Sequence, residues 1–335
     1  MAYILITIIS MTPKLKTFLE RLFSTVILLT LVGGVLWWNS VWGYAILICL
    51  LCNLTTIEWY AMLKEKKDYA QRWLVLAAGL PYPWLLFLLG HFSIKETWCL
   101  YCDTPHVRSI DTTQAVTAFS AFAFFAVALV AVVSFVWEMR RPIEADRALR
   151  SVGTTLLAFI YPVWMFSFAL AFLIAEAHGA HLADSAVGML LWIILVTKLT
   201  DICAYVSGVL IGGKIFGDRK MIPHISPKKT WEGFIGSLLL TTAAGFGLAT
   251  VLMPAALHYP WILASSIIII ALLAVVGDLA GSLIKRSLAV KDSGSLLPGI
   301  GGIFDLIDSP AFTVSMIVGG GISLGAFCAN VLHLF

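Results

Sequence analysis

Residues 114–137 read QAVTAFSAFAFFAVALVAVVSFVW, a run of 24 residues without a charged side chain. A helix needs about 20 apolar residues to cross the hydrocarbon core of a bilayer, so this run is long enough for one membrane span. In lipid a backbone must satisfy its own hydrogen bonds, which favours an α-helix for such a run. A transmembrane β-barrel would show alternating segments of about 10 residues instead. The stretch therefore predicts an α-helical membrane protein.

Similar apolar runs recur along the 335 residues, of which 60% are hydrophobic and only 12% charged. Soluble domains carry about 25% charged residues, so this chain has too few polar groups to cover a water-exposed surface. We predict an all-α, polytopic membrane protein with about nine transmembrane helices. These lie near residues 22–38, 43–62, 73–92, 114–137, 152–175, 186–210, 234–253, 261–284 and 310–334.

The basic residues support this layout, because 19 of the 22 lysines and arginines fall in alternate loops. Those loops lie within residues 14–21, 64–72, 140–150, 214–229 and 285–291. Loops rich in lysine and arginine stay in the cytoplasm, so we predict a cytoplasmic N-terminus and a C-terminus on the far side. The predicted location is the cell inner membrane. No basic stretch is interleaved with aromatic residues, which argues against a nucleic-acid partner.

The chain divides into three predicted regions: a cytoplasmic segment (1–21), helices that anchor and scaffold (22–185), and a C-terminal transmembrane region with ionisable residues inside its spans (186–335). Glu58, near the end of the second span, is open between a snorkelling interfacial residue and another role. Cys99 and Cys102 could form a local disulfide or remain free thiols. The start of the chain is open between Met1 and Met11.

The sixth span contains the first polar cluster, KLTDICAYVSG at residues 198–208. Asp201, Tyr205 and Gly208 share one helical face by their spacing. A carboxylate inside a span costs roughly 2.5–3.5 kcal/mol, so a functional role is favoured. The alternative is an ion pair between Lys198 and Asp201 that only neutralises both charges.

The loop SPKKTWEG at residues 226–233 forms the second cluster. Ser226 before a proline is typical of a helix N-cap, and we predict that a helix begins here. This arrangement would place Lys228 and Lys229 beside the positive end of a helix, where phosphate binds readily. Ordinary flanking charge of a cytoplasmic loop is the alternative.

Two further clusters follow, GDLAGSLIKR at residues 277–286 and KDSGSLLPGIGGIFDLIDS at residues 291–309. The first predicts a polar stripe of Asp278, Ser282 and Lys285 or Arg286 along one helix. The second places Asp305 and Asp308 at a helix start after a glycine-rich loop whose N–H groups could bind an anion. A plain turn with a capped helix is the alternative for that loop.

Together the clusters bring carboxylates and cations to the predicted cytoplasmic face. Carboxylate oxygens suit Mg²⁺, which usually takes its other ligands from water and substrate phosphates. Metal-bound carboxylates with cationic clamps are what phosphoryl or nucleotidyl transfer requires, since the protein mainly positions and neutralises anions. The sequence therefore predicts such a transferase with Mg²⁺ as cofactor.

The three segments 201–208, 226–233 and 282–308 resemble, in order, the characteristic segments of the phosphatidate cytidylyltransferase (CDP-diglyceride synthase) family. The resemblance covers roughly residues 150–330. It departs at Ile300, where the family usually has histidine, and at Leu306, where it usually has arginine. All the carboxylates remain, so the resemblance indicates a divergent but active member.

The resemblance implies synthesis of CDP-diacylglycerol and pyrophosphate from CTP and phosphatidic acid, for phospholipid synthesis, with membrane lipid as surroundings. It implies catalytic roles for Asp278, Asp305, Asp308, Lys285 and Arg286, and a Mg²⁺ site at the three aspartates. It implies substrate contacts from Asp201, Tyr205, Ser226, Lys228, Lys229, Ser282, Lys291, Asp292, Gly301 and Gly302. A homodimer is left open. The alternatives are a catalytically silent lipid- or nucleotide-binding paralogue and a membrane transporter.

Overall fold

The structure is a computed structural model that describes residues 13–64, 70–92, 112–144, 146–177, 184–215, 217, 220–299 and 301–332. Within these ranges, side chains are described except at 13–18, 112–117, 228 and 320–332. The predictions for Cys99, Cys102, Met1, Met11 and Ile300 lie outside the described residues.

Helices form almost all of the described chain. They are α1 (Pro13–Trp38), α2 (Val41–Lys64), α3 (Arg72–Gly79), α4 (Tyr82–Phe92), α5 (Thr112–Glu138), α6 (Arg147–Phe159), α7 (Met165–Ser167), α8 (Ala169–Ala177), α9 (Ala186–Ile211), α10 (Trp231–Leu252), α11 (Pro260–Ser287) and α12 (Phe304–Leu332). A π-helical turn (Ile160–Trp164) joins α6 to α7, a 3₁₀ turn (Pro254–His258) joins α10 to α11, and two short strands, β1 (Lys220–Ile222) and β2 (Ser226–Thr230), precede α10.

Among the described residues, eight helical segments are long and apolar enough to cross a membrane. They coincide with the first eight predicted spans, which confirms an all-α polytopic membrane protein. The ninth predicted span, 310–334, falls on α12, whose side chains are described only as far as residue 319.

Two of the predicted spans consist of more than one helix. The span 73–92 is divided by a turn at Leu80 and Pro81 between α3 and α4. The span 152–175 contains Pro162 within the π turn, where the Met165 N–H donates to the Ile160 carbonyl. Proline lacks an N–H and crowds the preceding turn, so one extra residue in that turn accommodates it. The π turn carries Tyr161, which becomes important below.

The prediction that a helix begins at Ser226 is wrong. Ser226–Thr230 is a strand that pairs antiparallel with β1, with Ser226 opposite Ile222 and Thr230 opposite Lys220. Helix α10 begins only at Trp231, and the Thr230 hydroxyl accepts a hydrogen bond of 3.1 Å from the Gly233 N–H. A threonine cap of this kind satisfies a free N–H of the first turn, so the helix starts four residues later than predicted.

Glycines allow the C-terminal helices to approach closely. A Cβ atom on Gly233 would lie 2.9 Å from the Ala204 carbonyl oxygen, so α10 packs directly on the backbone of α9. A Cβ atom on Gly277 would lie 2.9 Å from Ser309 Cα, which brings α11 equally close to α12. These contacts hold the four helices α9–α12 around one polar cavity.

The N-terminal helices pack onto this group through aromatic rings. Trp59 of α2 and Tyr161 of the π turn each lie edge-on to Phe304, the first residue of α12, with ring centroids 5.3 Å apart in both pairs. All three rings are buried. The predicted anchor region thus contacts the start of the helix that carries Asp305 and Asp308.

Candidate active site

A cavity of about 480 Å³ lies between α9, the strand pair, α10, α11 and α12. Helix α9 lines it with Lys198, Asp201, Tyr205 and Gly208. Their spacing of three, four and three residues is that of one helical face, as predicted for the last three of them.

All four predicted carboxylates reach this cavity. Asp201 comes from α9, Asp278 from α11, and Asp305 and Asp308 from the first turns of α12. Asp308 is the most enclosed, with 4% of its surface exposed. The sequence separated these residues by up to 107 positions, and helix packing brings them together.

Two of the carboxylates form ion pairs with predicted cations. Lys229 Nζ lies 2.5 Å from Asp278 Oδ2, and Lys285 Nζ lies 2.5 Å from Asp305 Oδ1. The Lys285–Asp305 pair is largely buried and the Lys229–Asp278 pair partly buried. Burial strengthens charge–charge attraction but makes either partner costly to remove. Lys198 and Asp201 form no ion pair in the described structure. No direct contact therefore supports the alternative that the two residues only neutralise each other.

Asp305 organises the glycine-rich loop. Its Oδ2 atom accepts hydrogen bonds from Ser293 N (3.1 Å), Ser293 Oγ (2.9 Å) and Gly302 N (3.1 Å). Asp305 precedes the predicted span 310–334. Burial alone would raise the pKa of its carboxyl group, but the bonds from Lys285, Gly302 and Ser293 outweigh burial and hold the pKa below its ordinary value. The carboxylate is therefore ionised and bonded through both oxygens.

Glu58 of α2 is a site residue that the sequence left open, and it is not a snorkelling residue. It is only 5% exposed, and its carboxylate accepts hydrogen bonds from Ile303 N (2.8 Å), Phe304 N (2.9 Å) and Ser293 Oγ (3.3 Å). It therefore caps the N-terminus of α12, where a negative charge is favoured. The signal was present in the sequence, since an acidic residue inside a span is rarely idle.

Four described backbone N–H groups at the end of the glycine-rich loop are hydrogen-bonded within the protein. Gly301 N donates to the Leu297 carbonyl, Gly302 N to Asp305, and the next two to Glu58. Protein carboxylates thus accept three of these four hydrogen bonds, where the sequence predicted an anion. These bonds give no support to substrate contacts through the amides of Gly301 and Gly302, and the contacts themselves remain a prediction. Gly302 is required for another reason: a Cβ atom there would lie 2.0 Å from Ser293 Oγ and 2.5 Å from Glu58 Oε2.

Tyr161 is a second residue that the sequence analysis missed. Its hydroxyl donates a 2.9 Å hydrogen bond to the Gly277 carbonyl, next to Asp278. An added Cβ on Gly281 would meet both the Tyr161 hydroxyl (3.2 Å) and Asp308 Oδ2 (3.0 Å), so the hydroxyl and the carboxylate both approach that glycine closely. π-Helical turns often occur at functional sites, and this one places Tyr161 against the cavity wall.

Several predicted residues do not line the cavity. Arg286, Lys291 and Asp292 are exposed. Ser226 lies in β2 and Ser282 on α11, both partly buried, and neither is in the cavity wall. The side chain of Lys228 lies outside the described structure. The structure thus collects Asp201, Tyr205, Lys229, Asp278, Asp305 and Asp308, with Lys285 bonded behind Asp305.

Replacing Lys285 with methionine should destabilise the protein. The change leaves Asp305, 16% exposed in its side chain, without its cation, and breaking a buried pair in this way costs about 3–5 kcal/mol. Thermal melting of the purified protein measures the effect. Arg286→Met removes a neighbouring but exposed cation and should leave the melting temperature nearly unchanged. Equal melting of both variants would contradict a stabilising Lys285–Asp305 pair.

The carboxylates of the cavity can be tested for a fit to Mg²⁺. Among the described residues, no group of three or more histidine, cysteine, aspartate or glutamate side chains lies close enough to form a metal site by itself. Mg²⁺ rarely uses such cages; it binds through one or two carboxylates and keeps water and phosphate oxygens as its other ligands. Asp278 and Asp308 lining one cavity are compatible with that mode.

Comparison with known proteins places these residues in a family. A sequence model of the cytidylyltransferase family matches residues 19–319. The phosphatidate cytidylyltransferase of Mycobacterium leprae (strain TN) is 36% identical over 160 residues, 48% of this chain and 46% of that protein. That of Staphylococcus aureus (strain COL) is 38% identical over 135 residues, 38% of this chain and 46% of that protein.

A plant relative gives a similar result. Phosphatidate cytidylyltransferase 5, chloroplastic, of Arabidopsis thaliana is 43% identical over 125 residues, 36% of this chain and 30% of that protein. Each alignment therefore spans less than half the length of the relative it matches.

Proposed function

Because the chain belongs to the cytidylyltransferase family, we propose that it is a nucleotidyltransferase that joins CTP and phosphatidic acid to give CDP-diacylglycerol and pyrophosphate. The observation that carries the proposal is the convergence of four aspartates and two lysines on one cavity between membrane helices. A cavity of this composition suits a substrate with several phosphate groups, and its place among apolar helices suits a lipid.

In the proposed reaction, an oxygen of the phosphatidate phosphate forms a bond with the α-phosphorus of CTP. The bond between that phosphorus and the oxygen bridging to the β-phosphorus breaks, and pyrophosphate leaves with the electron pair. The attacking phosphate is already ionised, so the reaction needs no strong general base. Catalysis then consists of positioning the two substrates and neutralising their charge.

The carboxylates of the cavity differ in whether their oxygens are free to bind a metal or substrate. Asp305 has both oxygens bonded, so we assign it to holding the glycine-rich loop and Lys285 in place. Asp278 and Asp308 are the residues that would hold Mg²⁺, with Asp201 in the same wall. When bound, Mg²⁺ neutralises the negative charge of the phosphates and orients them.

Lys229 would bind the triphosphate of CTP. It reaches the cavity from β2 and contacts Asp278 at 2.5 Å. We propose that phosphate binding loosens this pair, so that lysine and aspartate exchange a mutual contact for contacts with substrate and metal. The apolar part of the lining, including Val209, Phe234 and Val275, would face the lipid portion of phosphatidate.

We also propose that the cavity opens toward the cytoplasm of a cell whose inner membrane holds the protein. The segregation of 19 of the 22 basic residues into alternate loops supports this orientation. CTP is a cytoplasmic metabolite. Because its triphosphate is highly charged, it does not cross a bilayer unaided and can reach only a cavity that opens to the cytoplasm. Accessibility of single cysteines placed at Lys64 and at Lys214 to a membrane-impermeant thiol reagent tests the orientation, which predicts that both are labelled from the cytoplasmic side only.

Purified protein should convert radiolabelled CTP to a lipid-extractable product when phosphatidic acid and Mg²⁺ are present. Chelation of Mg²⁺ by EDTA should stop the reaction, and omission of phosphatidic acid should leave the label in the aqueous phase. Folded protein that binds CTP without making product would overturn the proposal in favour of a silent paralogue. Passage of label into sealed vesicles without product would indicate a transporter instead.

A further inference from the structure

Lys198 is a charged residue in the middle of a membrane-spanning helix. It lies halfway along α9, which runs from Ala186 to Ile211 and is apolar over most of its length. A lysine at the centre of a span costs about 2.5–3.5 kcal/mol on insertion scales, and such residues usually face a polar cavity and serve a function. Here it faces the cavity that holds the four aspartates.

Lys229 in the cavity wall and Lys285 behind it are already engaged. Lys229 lies 2.5 Å from Asp278, and Lys285 lies 2.5 Å from Asp305. Lys198 forms neither an ion pair nor a side-chain hydrogen bond in the described structure, although its charge acts on both Asp201 and Asp308. It is therefore the cation of the described cavity wall that is available to a ligand without first breaking a contact.

The first turn of α12 offers no cation of its own. Between Asp305 and Asp308 stand Leu306 and Ile307, which pack into the apolar core of the protein. A phosphate group entering beside Asp308 would therefore meet only negative charge from α12. Lys198, across the cavity on α9, is placed to balance it.

We propose that Lys198 binds a phosphate group of the substrate directly and is a catalytic residue of this cavity. The proposal deepens the proposed function and rests on it for the identity of the substrate. The phosphate can belong to the triphosphate of CTP or to the head group of phosphatidate, and both present the same chemistry to an ammonium group.

The test is binding of pyrophosphate, in the presence of Mg²⁺, to the purified full chain in detergent, by isothermal titration calorimetry. Lys198→Met keeps the length of the side chain and breaks no ion pair or side-chain hydrogen bond of the described structure, so we expect insertion and folding to be retained. We expect it to weaken pyrophosphate binding about 10- to 100-fold, the scale of one hydrogen bond to a charged group. Lys198→Arg should restore binding to within about threefold, because it keeps the charge and the donors.

Lys214→Met is the matched control. Lys214 is exposed at the end of the same region, donates to the Leu210 carbonyl at 2.6 Å and lies outside the cavity wall. It removes one positive charge without touching the site, so pyrophosphate binding should stay at the wild-type value. Thermal melting without ligand should be similar for both methionine variants.

The outcomes separate this inference from the proposed function. If wild-type protein binds pyrophosphate, Lys198→Met does not, and CTP is never turned over, the anion site stands and the proposed reaction fails. If wild-type protein turns over CTP and Lys198→Met binds pyrophosphate as tightly as wild type, Lys198 is not a phosphate ligand. Failure of wild-type protein to bind pyrophosphate would also overturn the inference.

Turnover measurements then distinguish the two sources of the phosphate. A rise in the KM for CTP alone in Lys198→Met would assign the contact to the triphosphate. A rise in the KM for phosphatidic acid alone would assign it to the lipid head group. A fall in kcat with both KM values unchanged would place the contact in the transition state, which also supports direct binding.

Discussion

Replacing Asp308 with asparagine should lower kcat by about 100- to 1,000-fold, the scale for loss of one charge-stabilising group in an active site. Asp308 is 4% exposed, lines the cavity and lies against Gly281 and the hydroxyl of Tyr161. Asparagine has nearly the same shape, and its carbonyl oxygen can still accept the 2.7 Å hydrogen bond from the Ser309 N–H. The fold should therefore survive while the charge is lost. Product formation from radiolabelled CTP measures the effect.

Asp184→Asn is the control for this change. Asp184 accepts hydrogen bonds from Ala255 N (2.9 Å) and Ala256 N (3.1 Å) at the 3₁₀ turn, and it lies outside the cavity wall. The same chemical change there should leave kcat nearly unchanged. Full activity of Asp308→Asn would remove Asp308 from the proposed metal and substrate site.

The parts of this site that follow from helical spacing could be predicted. The face of α9 with Asp201, Tyr205 and Gly208 needed only the helical repeat, and the spans needed only length and hydropathy. That Asp278, Asp305 and Asp308 meet Asp201 required the packing of α11 and α12 on α9. The grouping was inferred from the shared predicted face of the membrane rather than from contacts. The family resemblance pointed to the same residues.

Other parts of the site could not be predicted, because the local sequence is equally compatible with two structures. Ser226 and Thr230 are both good helix caps, and the pairing of β2 with β1 decides that Thr230 is used. The glycine-rich loop could present its N–H groups to a substrate or to a protein carboxylate. Glu58 decides between these, but it lies 245 residues before Ile303 in the chain. No local pattern connects two positions at that separation.

The position of Glu58 also bears on the division of the chain into anchor and catalytic regions. That division remains a prediction, but the two regions are physically joined at the site. Glu58 of α2 caps α12, and Tyr161 of the π turn supports the backbone beside Asp278. The helices before residue 186 therefore do more than hold the protein in the membrane, because two of their side chains fix the positions of site residues.

Replacing Glu58 with alanine should lower both stability and activity. The change leaves the N–H groups of Ile303 and Phe304, at the start of α12, without their acceptor, and each buried donor left unpaired costs about 1–3 kcal/mol. The Ser293 hydroxyl loses its bond to Glu58 but keeps the one to Asp305. A loss of about 3 kcal/mol corresponds to a melting temperature lower by roughly 4 °C for a chain of 335 residues. The kcat of the protein that remains folded should also fall. Ser293 and Gly302, which hold Asp305, belong to the same loop that Glu58 contacts.

Two further variants distinguish the effect of the Glu58 cap on stability from its effect on the position of the site. Glu176→Ala removes a carboxylate of α8 that accepts a 2.7 Å hydrogen bond from Ala186 N at the start of α9, but Glu176 is exposed and lies outside the cavity wall that contains Asp201. It should lower the melting temperature less and leave kcat unchanged. Glu58→Gln keeps one acceptor oxygen and should fall between wild type and Glu58→Ala in both measurements.

If Glu58→Ala melts at a lower temperature but retains wild-type kcat at a temperature where it is folded, Glu58 stabilises α12 without positioning the site. A parallel loss of kcat in Glu58→Ala and its partial recovery in Glu58→Gln would instead show that the Glu58 cap positions the site.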